Sequence, residues 1–253
     1  MLGLARRTLD LALAPIGFEL ARKGVHDWSD TRNFIPLDQT LAGAKASGLS
    51  VGDYVDTVLS KSPGATQTVI DELSKLGVFK KPVDCLLEIG PGTGRYLAKI
   101  IGLCSPRRIE IYETAKPWAD YLASEYQLVS QPTDGRSLGS TPDASCDLVQ
   151  AFKVFSSVPF RATIRYWPEM VRVTRPGGFI VFDVMTEDCL PLEAVEKWIS
   201  FVKDNEDNGA FPAAFPKSVM LNYFSNAGCR LVGDFLGPMG VGATQTFVFQ
   251  KAE

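Results

Sequence analysis

The sequence has a single histidine, His26, among 253 residues, and its five cysteines contain no CxxC pair. Zinc sites need clustered cysteine and histidine ligands, so we expect no bound metal. An odd number of cysteines, several of them within apolar segments, is typical of reduced thiols in a cytoplasmic protein.

The chain also lacks an excess of basic residues. It has 26 Lys and Arg against 29 Asp and Glu, which gives a net charge of −3. Proteins that bind nucleic acid through its phosphates usually carry a basic excess, so we expect no nucleic-acid partner. With 45% hydrophobic and 22% charged residues, the composition is that of a globular protein.

Long apolar runs are missing as well. Residues 1–20 contain scattered Leu, Ile and Phe, but Asp10 and Pro15 interrupt them. This stretch is too short to span a bilayer, and no small-residue cleavage site follows it. We therefore predict no membrane span but an N-terminal helix, preferably packed on the domain. Contact with a partner or peripheral contact with a membrane surface is the alternative, and the sequence indicates no oligomeric state.

The chain divides into two parts near residue 80. Residues 1–80 predict a helical N-terminal extension or lid, and residues 81–253 alternate strands with helices. Predicted strands cover 85–89, 108–112, 128–129, a segment from 147, 178–184, 230–236 and 246–250. Predicted helices cover 96–103, 117–125, 161–173, 192–203 and 217–227. This alternation predicts an α/β fold with a doubly wound, mostly parallel sheet, and the last two strands add one antiparallel strand.

The most informative motif runs from Glu88 to Arg95, between the first strand and its helix. It places Gly90, Gly92 and Gly94 at every second position. Glycines there allow a sharp turn and the close approach of a ligand. The spacing G-x-G-x-G differs from the G-x-G-x-x-G of dinucleotide-binding proteins. The acidic Glu88 disfavours a pyrophosphate and favours a ligand with an ammonium group or hydroxyls.

Two further acidic positions follow in the expected order. Glu113, followed by Thr114, ends the second strand, where a carboxylate accepts hydrogen bonds from ribose hydroxyls. Asp134, Gly135 and Arg136 follow the weak third strand. Asp134 is either the acceptor for an adenine amino group or part of a simple turn, since Asp-Gly is a common turn dipeptide.

Together these segments resemble the Rossmann-like, class I S-adenosylmethionine-dependent methyltransferases. The resemblance covers about residues 80–185 and includes Asp147-Leu148-Val149 and the Thr174-Arg175-Pro176-Gly177-Gly178 segment. It implies a seven-stranded sheet and S-adenosylmethionine as cofactor. Segments 154–160, 166–170 and 182–187 also resemble a bacterial subgroup that acts on glycans or other small metabolites.

The resemblance also implies which residues bind the cofactor. Glu88 to Gly94 should hold its methionine end, Glu113 with Thr114 the ribose, and Asp134 to Arg136 the adenine. Phe152, Lys153 and Val154 should line the cleft beneath the sulfonium. Because like charges repel, we expect the Lys153 ammonium to point away from it or to meet an anionic acceptor.

Three residues are candidates for catalysis. His26, flanked by Asp27 and Trp28, is either a general base brought over the cleft or a structural loop residue. Asp183 and Glu187 end the fifth predicted strand, at the edge where ligands bind, and their alternative roles are helix capping or solvent exposure.

Three functions remain open at this point. The preferred one is O-methylation of a small molecule or glycan by in-line transfer. The second is N-methylation of an amine or a lipid head group. The third is a non-catalytic cofactor-binding module that regulates a partner.

Overall fold

The structure is a computed structural model that describes residues 35–193, 195, 196, 199, 214–239 and 242–253. Within these ranges the chain forms one seven-stranded sheet with helices on both faces. The strands are β1 (Cys85–Ile89), β2 (Arg108–Tyr112), β3 (Val129–Ser130), β4 (Cys146–Ala151), β5 (Thr174–Val184), β6 (Cys229–Met239) and β7 (Gly242–Lys251).

The strand order is β3-β2-β1-β4-β5-β7-β6. β1 to β5 pair in parallel, whereas β7 is antiparallel to both β5 and β6. The predicted α/β class and its single antiparallel strand are therefore confirmed. The order reverses between β1 and β4, and ligands of such sheets bind where the strand order reverses, at the carboxyl ends of the strands.

The helices between the strands supply the two apolar layers. They are α1 (Leu37–Ser47), α2 (Val51–Tyr54) with a π-helical continuation (Val55–Leu59), α3 (Ala65–Lys75), α4 (Arg95–Cys104), α5 (Lys116–Glu125), α6 (Phe160–Thr163), α7 (Tyr166–Val173) and α8 (Lys217–Asn226). A short 3₁₀ helix covers Glu187–Cys189.

Both faces of the central strands are buried because neighbouring side chains point to opposite sides. Leu86 lies in the core under α3 and α4, whereas Leu87 lies in the opposite core, where Trp167 of α7 and Phe224 of α8 pack. The largely apolar sequence of β1, in which Glu88 is the one charged residue, follows from this two-sided burial.

Some element boundaries differ from the predictions. The single helix expected over 161–173 is two helices, α6 and α7, with a break at Ile164 and Arg165. β5 begins at Thr174 instead of 178 because its first residues pair with Cys146 ahead of a register shift. The helix predicted over 192–203 falls in a stretch that is described only in part.

The predicted N-terminal extension is described only from residue 35. Residues 35–80 contain α1, α2 with its π-helical turn, and α3. Residues 1–34, including the predicted first helix, lie outside the described residues. The division at residue 80 therefore stays a prediction.

Candidate cofactor and acceptor site

The glycine loop joins the carboxyl end of β1 to the start of α4. Gly90, Gly92 and Gly94 all have positive φ values, of 59°, 50° and 74°. A Cβ on Gly92 would meet nothing within 4 Å, whereas one on Gly94 would lie 2.4 Å from the buried Leu122 side chain. The loop is therefore packed from below at Gly94 and open at Gly92, which leaves space for a ligand against its backbone.

Glu88 lies directly beneath this loop and is almost completely buried, with 1% of its surface exposed. Its Oε2 accepts a hydrogen bond of 2.9 Å from Nε2 of Gln150 on the neighbouring strand. Burial raises the pKa of the Glu88 carboxyl to about 8, and the charge of Glu113 adds to this, while the Gln150 hydrogen bond opposes it. At neutral pH the free protein therefore holds Glu88 mostly protonated.

Glu113 connects the end of β2 to the glycine loop. Its carboxylate accepts hydrogen bonds from the backbone N–H of Gly92, at 2.8 Å, and of Ala115, at 2.7 Å. Burial raises the pKa of Glu113 above its ordinary value, although these backbone donors counteract the rise. Glu113, the predicted ribose-binding acid, therefore contacts the same loop that follows Glu88, the predicted methionine-binding acid.

Asp134 lies in an exposed turn beside this corner. Its Oδ1 accepts hydrogen bonds of 2.8 Å from the backbone N–H groups of Arg136 and Ser137, and its Oδ2 accepts one from the Ser137 hydroxyl. Slight burial acts to raise the pKa of Asp134, but these hydrogen bonds outweigh it and lower the pKa. The carboxylate thus stabilises its own turn, which was the alternative interpretation. Its role toward adenine stays a prediction.

The turn packs beside the predicted ribose corner. A Cβ on Gly135 would lie 3.8 Å from Cγ2 of Thr114, so this turn packs against the residue after Glu113. Arg172 holds the following segment by donating hydrogen bonds to the carbonyl oxygens of Leu138 and Thr141.

The segment after β4 covers the glycine loop from the other side. The Phe152 ring stacks on Tyr96 of α4, with ring centroids 4.3 Å apart. A Cβ on Gly90 would lie only 2.7 Å from Cγ2 of Val154, so the two loops are in direct contact. The predicted cleft residues Phe152 and Val154 therefore adjoin the predicted cofactor loop.

Lys153, between them, adopts a left-handed backbone conformation with φ of 59°. Its Nζ forms an ion pair of 2.9 Å with Oδ2 of Asp183, and its backbone N–H donates to Oδ1 of the same carboxylate at 2.6 Å. The Lys153 ammonium is therefore paired with a buried carboxylate of the protein. Its orientation relative to the sulfonium stays a prediction.

This arrangement changes the interpretation of Asp183 as a general base. The side chain is 1% exposed, and its Oδ2 also accepts a 2.6 Å hydrogen bond from the hydroxyl of Thr244 on β7. A general base needs an oxygen lone pair that faces the acceptor. The contacts of Asp183 favour a role in positioning Lys153 and the segment after β4 over the role of a base.

Glu187 lies in the 3₁₀ helix after β5 and is exposed. Its Oε2 accepts a hydrogen bond of 3.3 Å from the backbone N–H of Lys217, the first residue of α8. This contact is the helix-capping alternative, because the first N–H groups of a helix have no partner within the helix. The geometry therefore gives Glu187 a structural function.

His26, Asp27 and Trp28 lie outside the described residues. The first described residue, Ile35, is fixed to the domain. Its carbonyl oxygen accepts a hydrogen bond of 2.7 Å from Nε1 of Trp118, in the first turn of α5. That turn follows Glu113 directly, so the chain enters the described region beside the predicted ribose corner.

Three contacts at this edge were not predicted from the sequence. Gln150 is the buried partner of Glu88. Its position as a polar residue near the end of an apolar strand is the signal that could have indicated it. Thr244 carried no such signal because its contact depends on the β6–β7 hairpin. Asp56, at the π-helical turn, accepts a 2.7 Å hydrogen bond from Arg95 Nη1 and fixes the residue that follows the glycine loop.

The residues at this edge fit a cofactor with an ammonium group and ribose hydroxyls. The backbone at Gly92 is open. The buried Glu88 carboxyl has only a neutral amide as its hydrogen-bond partner among the described residues. Oε1 of Gln150 is buried and has no hydrogen-bond partner within the part of the chain that is described. The fold and these acids are those expected of a class I methyltransferase.

The comparison with protein families supports this class directly. Residues 87–182, from β1 through β5, match the family model described as a methyltransferase domain. The predicted S-adenosylmethionine-dependent methyltransferase is therefore confirmed at the level of this domain and of the fold, with S-adenosylmethionine as the cofactor. No curated protein sequence matches the chain.

Solved structures resemble the chain in fold at low sequence identity. An O-methyltransferase family protein from Burkholderia thailandensis has a TM-score of 0.58 and 15% identity, covering 98% of this chain and 71% of its own. Magnesium protoporphyrin IX methyltransferase from Synechocystis, with bound S-adenosylhomocysteine, has a TM-score of 0.58 and 12% identity, over 75% and 84% of the two chains.

The N-methyltransferase NodS from Bradyrhizobium japonicum, in complex with S-adenosylhomocysteine, has a TM-score of 0.53 and 16% identity, over 74% and 87% of the two chains. These neighbours differ in the activities for which they are named, so the shared fold does not select an acceptor. Among the described residues, none of the helices has the length and apolar character needed to cross a bilayer.

Proposed function

We propose that the protein transfers a methyl group from S-adenosylmethionine to an oxygen atom of a small molecule or glycan, in a bacterial pathway. The observation that carries the cofactor half of this proposal is the buried Glu88 carboxyl beneath an open glycine loop. The oxygen acceptor is proposed because it gives the sole histidine, His26, a function as general base.

In this proposal the bound cofactor supplies an electrophilic methyl group, and the protein supplies binding and alignment. Glu88 binds the ammonium group, and Glu113 accepts hydrogen bonds from the ribose hydroxyls. The backbone around Asp134 and Gly135 holds the adenine. Phe152 closes one wall of the cleft and excludes water.

Deprotonation of the acceptor requires a general base, and we propose that neither Asp183 nor Glu187 provides it. Asp183 is bound by Lys153 and Thr244, and Glu187 caps α8. An oxygen acceptor with a high pKa reacts faster when a positioned base removes its proton. We assign this step to His26.

The position of Ile35 supports this assignment. His26 lies nine residues before Ile35, and an extended chain of that length spans at most roughly 30 Å. Because Ile35 is held beside the ribose corner by Trp118, His26 can reach the cleft. We therefore propose that residues 1–80 include the lid of the site.

N-methylation of an amine or a lipid head group is the second candidate. NodS, named as an N-methyltransferase, shares the fold, and a neutral amine does not need a base. A non-catalytic regulatory module is the third. For location, the five free cysteines support a reducing, cytoplasmic compartment.

The test combines binding with turnover. Wild-type protein, His26→Ala and Glu88→Gln are incubated with S-adenosylmethionine and a panel of hydroxyl-bearing and amine-bearing acceptors, and S-adenosylhomocysteine release is measured. Asp27→Asn, next to His26, is the matched control. Binding of S-adenosylhomocysteine is followed by thermal shift, with NAD as the negative control.

We expect turnover with a hydroxyl acceptor and a loss of about 100-fold or more in kcat for His26→Ala, with cofactor binding retained. Turnover only with amines, unaffected by His26→Ala, would support the N-methyltransferase. Binding without turnover across the panel would support the regulatory module. A thermal shift with NAD alone would contradict all three.

A further inference from the structure

Two cysteines face each other at the edge of the sheet opposite the cofactor site. Cys85 opens β1 and Cys146 opens β4, and these strands are hydrogen-bonded neighbours. The two Sγ atoms are 3.6 Å apart and form a thiol–thiol hydrogen bond. Both thiols are free and buried.

The backbone geometry suits a covalent bond between them. Neighbouring strands lie about 4.8 Å apart, and disulfides join residues whose Cα atoms are about 4.4–6.8 Å apart. A disulfide has an S–S distance of about 2.05 Å, so the two sulfur atoms need to approach by only about 1.5 Å. Side-chain rotation supplies most of such a change.

Cys85 lies beside a surface pocket. It contributes to the wall of a pocket of about 340 Å³ that also includes Arg107, Arg108 and Arg175. The three guanidinium groups give this pocket a positive charge next to Cys85.

The two thiols also differ in acidity. The hydrogen bond with Cys146 lowers the pKa of the Cys85 thiol in spite of its burial. The same pairing, together with burial, raises the pKa of Cys146. The thiolate is the nucleophile in disulfide exchange, and we expect Cys85 to react first because Cys85, unlike Cys146, lines the pocket described above.

We propose that Cys85 and Cys146 form a reversible intramolecular disulfide when the protein meets a low-molecular-weight disulfide such as glutathione disulfide. The Cys85 thiolate attacks one sulfur of the oxidant, forms a mixed disulfide and releases one glutathione thiolate. The Cys146 thiol then loses its proton, attacks Cys85 Sγ and releases the second glutathione. Two electrons and two protons pass from the protein to the oxidant, and the product contains a disulfide bond between Cys85 and Cys146.

The cross-link would act on the strands that carry the cofactor site. Glu88 lies three residues after Cys85 on β1, and Gln150 lies four residues after Cys146 on β4. A bond between the strand starts would fix their relative position and reduce their freedom to adjust at the opposite end. The site would thereby respond to the redox state of the compartment, where cytoplasmic disulfides are usually transient and regulatory.

The experiment treats the full-length, reduced protein with glutathione disulfide and maps its peptides without reduction. We expect a linked pair of peptides containing Cys85 and Cys146, a total mass lower by two hydrogen atoms, and reversal by dithiothreitol. Because the bond closes a loop of 61 residues, the melting temperature should rise by on the order of 5–10 °C.

Two variants provide the controls. Cys104→Ser removes a more exposed cysteine outside the pair and should leave the cross-link unchanged. Cys146→Ser should instead leave Cys85 as a stable mixed disulfide with glutathione. A stable mixed disulfide in the wild-type protein, a linkage through Cys104, or unchanged thiols at both positions would each overturn the proposal. Because the mapping uses wild-type protein, it does not depend on whether a variant folds.

Discussion

Replacing Glu88 by Gln should change how stability depends on pH. The carboxyl has a pKa of about 8 in the folded protein against 4.5 for an ordinary glutamate. Between these two values the folded state keeps the proton while the unfolded state loses it. The raised pKa therefore lowers the stability of the ligand-free protein progressively as pH rises from about 4.5 to about 8, and the loss is complete above that window.

The magnitude follows from the size of the pKa shift. One pKa unit corresponds to about 1.4 kcal/mol, so the full window corresponds to about 5 kcal/mol. Relative to Glu88→Gln, the free energy of unfolding of the wild-type protein should fall by about 3 kcal/mol between pH 5.5 and pH 7.5. The glutamine variant has no proton to lose at this position, and other titrating groups cancel in the difference.

The assay is urea unfolding of both proteins, without ligand, at several pH values between 5 and 8.5. A second measurement is calorimetric titration with S-adenosylhomocysteine at pH 7, in buffers of different ionisation enthalpy. If the ligand ammonium binds the ionised form of Glu88, the wild-type protein should release close to one proton and Glu88→Gln none. Parallel stability curves for the two proteins would refute the reasoning.

Four further variants test other contacts of the site. Asp183→Asn should destabilise the protein by about 3 kcal/mol in urea unfolding, because the ammonium of the half-buried Lys153 would lose its carboxylate and keep only Thr244 as a partner. A loss under 1 kcal/mol would contradict the ion pair. Gly92→Ala should lower the free energy of unfolding by only about 1–2 kcal/mol but weaken S-adenosylhomocysteine binding at least tenfold by calorimetry. Gly94→Ala should mainly destabilise the protein, because its Cβ would clash with the core. Equal losses of stability in the two variants would contradict the difference in packing. Glu113→Gln should weaken the same binding by about tenfold or more, and unchanged affinity would remove Glu113 from the ribose site.

The arrangement of the residues proposed to bind the cofactor was predictable from the sequence because it depends on local geometry. A strand, a glycine loop and a helix place Glu88 and Gly92 together within a few residues, and one further strand brings Glu113 to the same edge. Each step is a short-range consequence of the α/β alternation. The order of the strands near the site follows from the same right-handed crossovers.

The acceptor half was not predictable in the same way. The contact between Asp183 and Thr244 joins residues 61 positions apart, and it exists only because β7 inserts beside β5. The sequence shows that Asp183 ends a strand but not which donors surround it. A residue at a strand end could equally face a ligand or a neighbouring hairpin, and the structure shows the second.

The buried carboxylates of this edge differ in the partner that stabilises their charge, and this difference supports the proposed ligand site at Glu88. Asp183 is paired with Lys153, and Asp56 is paired with Arg95. Glu88 is equally buried, but among the described residues its hydrogen-bond partner is the neutral amide of Gln150. Burying a carboxylate without a cation costs several kcal/mol, which is why its proton is retained in the free protein. A cationic ligand group removes that cost on binding. Glu88, which destabilises the ligand-free protein, should therefore contribute most to selecting the cofactor.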